Sequence, residues 1–204
     1  MASSKRLVVG ISGASGVVYG IRLLEALRGT DVETHLVMSR SAEITLAHET
    51  TMKVAQVRDL ASVFHAVTDI GASLASGSFK TLGMAIVPCS IRTLSEIASG
   101  VTSSLLSRAA DVTLKERRRL VLAVRETPLH LGHLRSMAAV TEMGAVVMPP
   151  VPAFYAKPAT VDDIVNQTVG RILDQFDLDL GLVKRWGEPE AADIAPIRPL
   201  RRKT

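Results

Sequence analysis

Three short stretches hold the side chains best suited to chemistry. The first, Gly10-Ile11-Ser12-Gly13-Ala14-Ser15-Gly16, spaces its glycines as GxxGxxG. It is neither the GxGxxG dinucleotide pattern nor a GxxxxGKS/T loop, since no lysine follows. Glycine permits close backbone approach, a following helix offers free N–H groups to an anion, and Ser12 and Ser15 add hydroxyl donors. A phosphate or cofactor site and plain turn geometry are both open readings. The second stretch, Pro88-Cys89-Ser90-Ile91-Arg92-Thr93, follows an apolar run and opens a helical one. Ser90 and Thr93 either donate to a ligand or cap that helix. Cys89 could act as a nucleophile, but a lone cysteine beside a strand is more often a small buried hydrophobe. The third, Arg125-Glu126, comes directly after the strand-like RLVLAV. Such a pair is either a structural ion pair or a phosphate clamp beside a proton-transfer group.

Other charged and polar candidates are more scattered. Arg108 and Lys115 lie seven residues apart, about two helical turns, and share a face if one helix runs through both. Arg117, Arg118 and Arg119 extend that run, mostly as solvated surface. Tyr155, in the proline-bounded PPVPAFYAKP, either donates to an anion or packs with Phe154. Arg171 interrupts the apolar stripe of the last helix, so its stem snorkels or its head reaches a partner subunit. His130 and His133 fall on one helical face, but no third metal ligand accompanies them.

These groups need a frame. Apolar runs at 7–11, 32–38, 84–87, 119–124 and 145–148 read as five strands, the third ended by Pro88. Between them lie helical patterns at 17–27, after the turn 39–41, at 92–99, 102–116 and 131–143, with a last helix at 161–176. Residues 50–80 are irregular and read as a loop or lid. Strands alternating with helices predict an α/β fold with a parallel sheet covered on both faces. Ligands in such folds sit at the carboxyl ends of the strands, which selects the loops 12–16, 39–41, 88–93, 125–130 and 149–158.

Composition excludes several alternatives. In 204 residues, 47% are hydrophobic and 3% aromatic, which suits one globular domain and leaves few stacking platforms for nucleic acid. The net charge of +4 comes from Arg198, Arg201, Arg202 and Lys203, because residues 1–197 hold 20 basic and 20 acidic side chains. The body is therefore neutral and no nucleic-acid partner is expected. One cysteine rules out an intramolecular disulfide framework and fits a reducing, cytoplasmic setting. No apolar run reaches the roughly 20 residues of a membrane span, and the N-terminus reads as a first strand rather than a signal peptide.

Taken in order and with their spacing, GISGASG, PCSIRTLSEIASG, RAADVTLKERRRLVLAVRETP, TEMGAVVMPPVPAFY and RWGE resemble the UbiX family of flavin prenyltransferases, formerly described as aromatic acid or phenylacrylic acid decarboxylases. The resemblance implies a flavodoxin-like, Rossmann-type three-layer sandwich over residues 1–188, followed by a basic, proline-rich tail at 189–204. It implies reduced FMN as co-substrate and no metal. The dimethylallyl group of dimethylallyl phosphate is transferred to N5 and C6 of the flavin, and the prenylated FMN passes to a UbiD-type decarboxylase. It also implies a trimer-based homo-oligomer, commonly a dodecamer.

By the same resemblance, Gly13, Ala14, Ser15, Ser39, Ser90, Thr93 and Arg125 correspond to flavin contacts. Arg108, Lys115, Tyr155 and Arg171 surround the prenyl phosphate, with Arg171 supplied by an adjacent subunit. Glu126 is the proton-transfer acid, and Ser15, Lys115 and Tyr155 share the catalytic work. Glu49 is a further pocket acid, and Trp186 belongs to the C-terminal segment. The third loop departs from the common PCSTGTL, with Ile91 and Arg92 replacing a small pair. The alternative reading is an FMN-dependent decarboxylase acting directly on an aromatic acid or a cysteine-containing substrate.

Overall fold

The computed structural model describes residues 5–187, so the tail at 189–204 lies outside the described residues. Six strands form one sheet: β1 (Lys5–Ile11), β2 (Val32–Met38), β3 (Val63–His65), β4 (Gly83–Cys89), β5 (Arg119–Val124) and β6 (Val146–Val147). Every pairing is parallel, in the order β3-β2-β1-β4-β5-β6. Seven helices complete the described chain: α1 (Val17–Leu27), α2 (Arg40–Glu49), α3 (Val54–Arg58), α4 (Ile91–Ala98), α5 (Leu105–Lys115), α6 (Leu131–Glu142) and α7 (Val161–Asp174).

Strand periodicity explains the layering. Successive side chains point to opposite faces, so a strand buried on both sides is apolar throughout. Leu7, Val9 and Ile11 of β1 join Leu36, Ala85, Val87, Val121 and Ala123 beneath α1 and α7. Val8, Val37, Met84, Ile86, Leu120 and Leu122 point the other way, against α4 and α5. The result is the expected three-layer sandwich of flavodoxin-like, Rossmann type. The strand order reverses between β1 and β4, and the chain leaves these two strands toward opposite faces.

Several boundaries differ from the sequence expectation. The stretch 50–80 holds α3, β3 and a 3-10 turn at Ser73–Ala75, rather than only loop. Three residues are too few to show a period, and β3 is recognisable only from its partner. Thr34 N donates to Ser62 Oγ at 3.1 Å, and Ser62 N donates to Thr34 Oγ1 at 2.9 Å. β4 does not stop at Pro88. Its ladder to β5 breaks after Ile86 and resumes at Cys89 opposite Val124, and such a break tolerates a residue without an N–H. β6 is confined to two residues. Helix α5 starts at Leu105 rather than 102, because Ser104 takes an extended N-cap conformation. In α6 only Val140 is buried, and Leu131 and Leu134 are exposed.

Two polar clusters sit inside this frame. Arg22 of α1 is 2% exposed, with Nε 3.1 Å from Glu25 and Nη2 3.6 Å from Asp162. Its Nη1 donates to Asn166 Oδ1 at 3.1 Å, which ties α1 to α7. The second cluster lies at the β2–β3 edge. Glu33 Oε1 can only accept, so His35 Nε2 donates to it at 3.0 Å. Neutral His35 then accepts at Nδ1 from His65 Nε2, also at 3.0 Å. Arg6 ion-pairs with Glu33 at 3.3 Å, and its guanidinium lies 4.6 Å from the Phe79 ring centre.

Arg22→Ala leaves Glu25 without its cation and should lower the unfolding free energy by about 3 kcal/mol in urea titration. A loss below about 1 kcal/mol would place the pair with ordinary surface bridges. Burial holds the pKa of both His35 and His65 below the ordinary 6.5. The unfolded chain therefore binds more protons in that window, and stability is lost as pH falls below 6.5 toward the folded values. Thermal melts from pH 7.5 to 5.5 should show this slope, and it should flatten in His35→Gln and His65→Gln.

Candidate functional site

The carboxyl ends of β1, β2 and β4 open on a cavity of about 510 Å³. Its walls are the first turns of three helices, each capped by a serine. Ser39 caps α2 and accepts from Ala42 N at 3.1 Å. Ser90 caps α4, accepting from Thr93 N at 3.3 Å and donating to Thr93 Oγ1 at 3.1 Å. Ser104 caps α5 and exchanges hydrogen bonds with Ser107. Unpaired backbone N–H groups and aligned peptide dipoles make helix N-termini favourable to anions. Three such ends at one cavity, with Ser41, Ser103 and Arg40 beside them, give an anion-favouring wall, while Glu96, paired with Arg92, and Glu126 place two carboxylates on the same lining. Val67, Ile91 and Leu106 supply apolar surface. This donor set fits a flavin mononucleotide, whose phosphate needs N–H and hydroxyl donors and whose ring system needs an apolar bed.

A buried hydroxyl joins the two loops that frame the cavity. Ser12 is 1% exposed, and its Oγ donates to Pro88 O at 3.0 Å while accepting from Ser90 N at 2.7 Å. Ser12 is therefore committed to holding the fold, not offered to a ligand. Gly13 lies hard against the backbone of Ser41, leaving no room for a Cβ. Gly16 adopts φ 101°, a left-handed conformation suited to glycine, and precedes α1 without offering a side-chain cap.

The expectation that α1 presents free N–H groups to an anion is corrected here. Glu49, from the end of α2, fills that position. Gly16 N donates to Glu49 Oε2 at 2.9 Å and to Oε1 at 3.1 Å, and Val17 N donates to Oε2 at 3.0 Å. Its carboxylate satisfies the helix end that Gly16 cannot cap, and the helix ends that line the cavity are the three capped by serine.

Other expected residues are distributed as follows. Gly13, Ser39, Ser90, Thr93 and Glu126 line the cavity together. Ala14 and Ser15 lie on its first loop, with Ser15 exposed. Arg125 and Glu126 form no ion pair with each other: Glu126 Oε1 accepts from Thr127 N at 3.0 Å, and Arg125 is exposed. Cys89 is fully buried, and burial pushes its thiol pKa far up, which removes it as a nucleophile. Ile91 and Arg92 form the first turn of α4 without disturbing its cap, and Arg92 pairs at the rim with Glu96 at 3.0 Å.

Four of the remaining candidates do not line this cavity. Helix α5 does run through Arg108 and Lys115. Arg108 pairs with Asp111 at 2.6 Å. Lys115 pairs with Glu116 at 2.7 Å and borders a different cavity, of about 550 Å³, between α4, α5 and α6. Tyr155 meets Trp186 edge-on, with ring centres 5.5 Å apart. Arg171 is exposed and pairs with Asp174 at 2.6 Å. The rings of His130 and His133 lie tilted by 34° with centroids 3.6 Å apart, His130 capping α6 by accepting from Gly132 N. Arg40 and Ser41 fall in the expected ligand-facing loop 39–41, whereas Ser103 and Ser104 were not anticipated as site residues. The Ser103-Ser104 pair before an apolar periodic run is a helix-start signature that points to them.

The family profile described as Flavoprotein matches residues 1–173. The flavin prenyltransferase UbiX of Thauera aromatica is 58% identical over 193 residues, covering 95% of this chain and 100% of that protein. The crystal structure of AnUbiX (PadA1) in complex with FMN and dimethylallyl pyrophosphate superposes with TM-score 0.90 at 53% identity, covering 92% of this chain and 100% of that one. A dodecameric FMN-dependent UbiX-like decarboxylase from Escherichia coli O157:H7 superposes with TM-score 0.87 at 48% identity, covering 90% and 100%. At these identities, and over nearly its whole length, the chain belongs to the UbiX family of flavin prenyltransferases, the family its motifs resemble.

Proposed function

We propose that the switch-point cavity binds reduced FMN and that Glu126, on its wall, serves the transfer of a dimethylallyl group from dimethylallyl phosphate to that flavin. The observation that carries this reading is the convergence of the Ser39, Ser90 and Ser104 helix ends on one cavity that also holds the Glu126 carboxylate. The phosphate of FMN meets helix N–H groups and serine hydroxyls, while Gly13 and Ala14 let the first loop lie close to the flavin. When bound, the reduced flavin supplies the electron-rich N5 and C6 positions that accept the prenyl carbon.

The chain's own task is to bind, orient and neutralise charge. Loss of an allylic phosphate builds negative charge on the departing oxygens, and positioned cations lower the barrier for that step. Arg108, Arg125, Lys115 and Arg171 are the cations assigned to it, with the Tyr155 phenol as a further donor. Among these, Lys115 and Arg171 border separate cavities of the protomer. Neighbouring subunits would then complete the site. The exposed apolar surface of Leu131, Leu134, Val151, Phe154 and Trp186 supports assembly of this kind, as does the dodecameric relative. We assign the chain a trimer-based homo-oligomer, a single phosphate on the prenyl donor, and a UbiD-type decarboxylase as recipient of the product. Among the described residues, no helix is long and apolar enough to cross a membrane.

Anaerobic incubation of the full chain with reduced FMN and dimethylallyl phosphate should yield a flavin heavier by one C5H8 unit on mass spectrometry. Unmodified flavin, together with CO2 release from an aromatic or cysteine-containing acid, would establish the direct decarboxylase reading instead. Glu126→Gln should retain flavin and lose about 100-fold or more in turnover. Unchanged turnover would remove Glu126 from the mechanism. Because side-chain cations take the place of a metal at the phosphate, a chelator should leave the initial rate unaltered. A rate restored by added Mg²⁺ would overturn that assignment.

A further inference from the structure

We infer that Gln167 is a positioning residue that sets the hydrogen-bond polarity of Tyr155, leaving the phenol proton free for an anionic substrate oxygen. The inference rests on the reading of Tyr155 as a donor to the prenyl phosphate. Gln167 lies on α7 and is 5% exposed. Its Oε1 accepts from Lys184 N at 2.9 Å, and its Nε2 donates to Lys184 O at 3.1 Å. This double contact fixes the amide: the flipped orientation would set NH2 against N–H and carbonyl against carbonyl. Nε2 has one hydrogen left, and it points to Tyr155 Oη at 3.3 Å.

Tyr155 therefore accepts from Gln167 and cannot donate to it. Among the described residues no group accepts from the phenol. This leaves the O–H free to point away from α7, at a side chain 45% exposed, and Trp186 braces the ring edge-on. A phenol held this way is a ready donor to a phosphate and a poor acceptor. Two turns further along α7 the arrangement repeats with charges. Asp174 holds Arg171 at 2.6 Å and clamps Arg185 through two hydrogen bonds of 3.0 Å. One face of α7 thus secures the segment carrying Lys184, Arg185 and Trp186 and, through Gln167, orients Tyr155.

The test is a double-mutant cycle on the full chain with reduced FMN, reading KM for dimethylallyl phosphate, kcat and flavin affinity. Tyr155→Phe should raise KM about tenfold with flavin affinity unchanged. Gln167→Met should raise KM severalfold in the parent, yet by less than twofold in the Tyr155→Phe background. Gln167→Glu keeps an acceptor for Lys184 N but turns the neighbour of Tyr155 into an acceptor that captures the phenol proton. It should exceed Gln167→Met in KM and also lose its effect without the hydroxyl. It provides the same cycle if Gln167→Met fails to retain flavin. Equal effects of either Gln167 substitution in both backgrounds, or none in the parent, would overturn the inference and leave Gln167 as an anchor for Lys184 alone. An unchanged KM in Tyr155→Phe itself would overturn the phosphate role of Tyr155, and this inference with it.

Discussion

The site depends on one buried hydroxyl. Where the sheet order reverses, the loops after β1 and β4 leave toward opposite faces, and beyond Ile86 a backbone bond from Ser12 N to Pro88 O, at 3.1 Å, joins them. Ser12 Oγ doubles that link by accepting from one loop's N–H and donating to its carbonyl. Both bonds are out of water, where an unmade partner is costly. They set the start of α4, and with it the cap at Ser90 and the position of Thr93. A hydroxyl that looks from sequence like a ligand donor is instead what allows its neighbours to be donors.

Glu49 extends the same logic to charge. A glycine-rich first loop favours a close approach but cannot cap the helix it opens. The chain supplies the missing acceptor from 33 residues away, as a full negative charge at the positive end of α1. The positive ends left facing the cavity belong to α2, α4 and α5, and each is only partly satisfied by a neutral serine. Selection among equivalent helix termini is thus made by which of them already has its anion.

The strand–helix alternation, the sheet faces and the cavity loops were legible because long apolar runs and their flanking serines are local signals. β1, with Leu7 and Val8 reaching opposite cores, shows its burial on both faces in the sequence itself. β3 was not legible: three residues, held by a Thr34–Ser62 exchange, have no period. Nor was the role of Glu49, Ser12 or Gln167, since each acts on backbone groups distant in sequence. Ser104 lay within reach, but a helix read from 102 takes it inside as a helical residue, and that three-position difference at the start moved it out of the site. The separation of Lys115 and Arg171 from Glu126 has another source. A helix carries Arg108 and Lys115 on one face, yet about 10 Å of helix axis separates them, so spacing alone cannot place both at one phosphate.

The serine-lined wall also bears on time. A flavin that is modified and then handed on must leave once in every catalytic cycle, unlike a cofactor that stays. Dissociation sets a ceiling on turnover, and affinity among related complexes is adjusted mainly through the rate of leaving. With Glu49 already seated at α1, a phosphate leaving the proposed site would give up neutral hydroxyls and helix ends, which water can re-solvate, rather than a buried cation. Under the proposed function, a wall of that kind suits a pocket that must release one flavin before it takes the next.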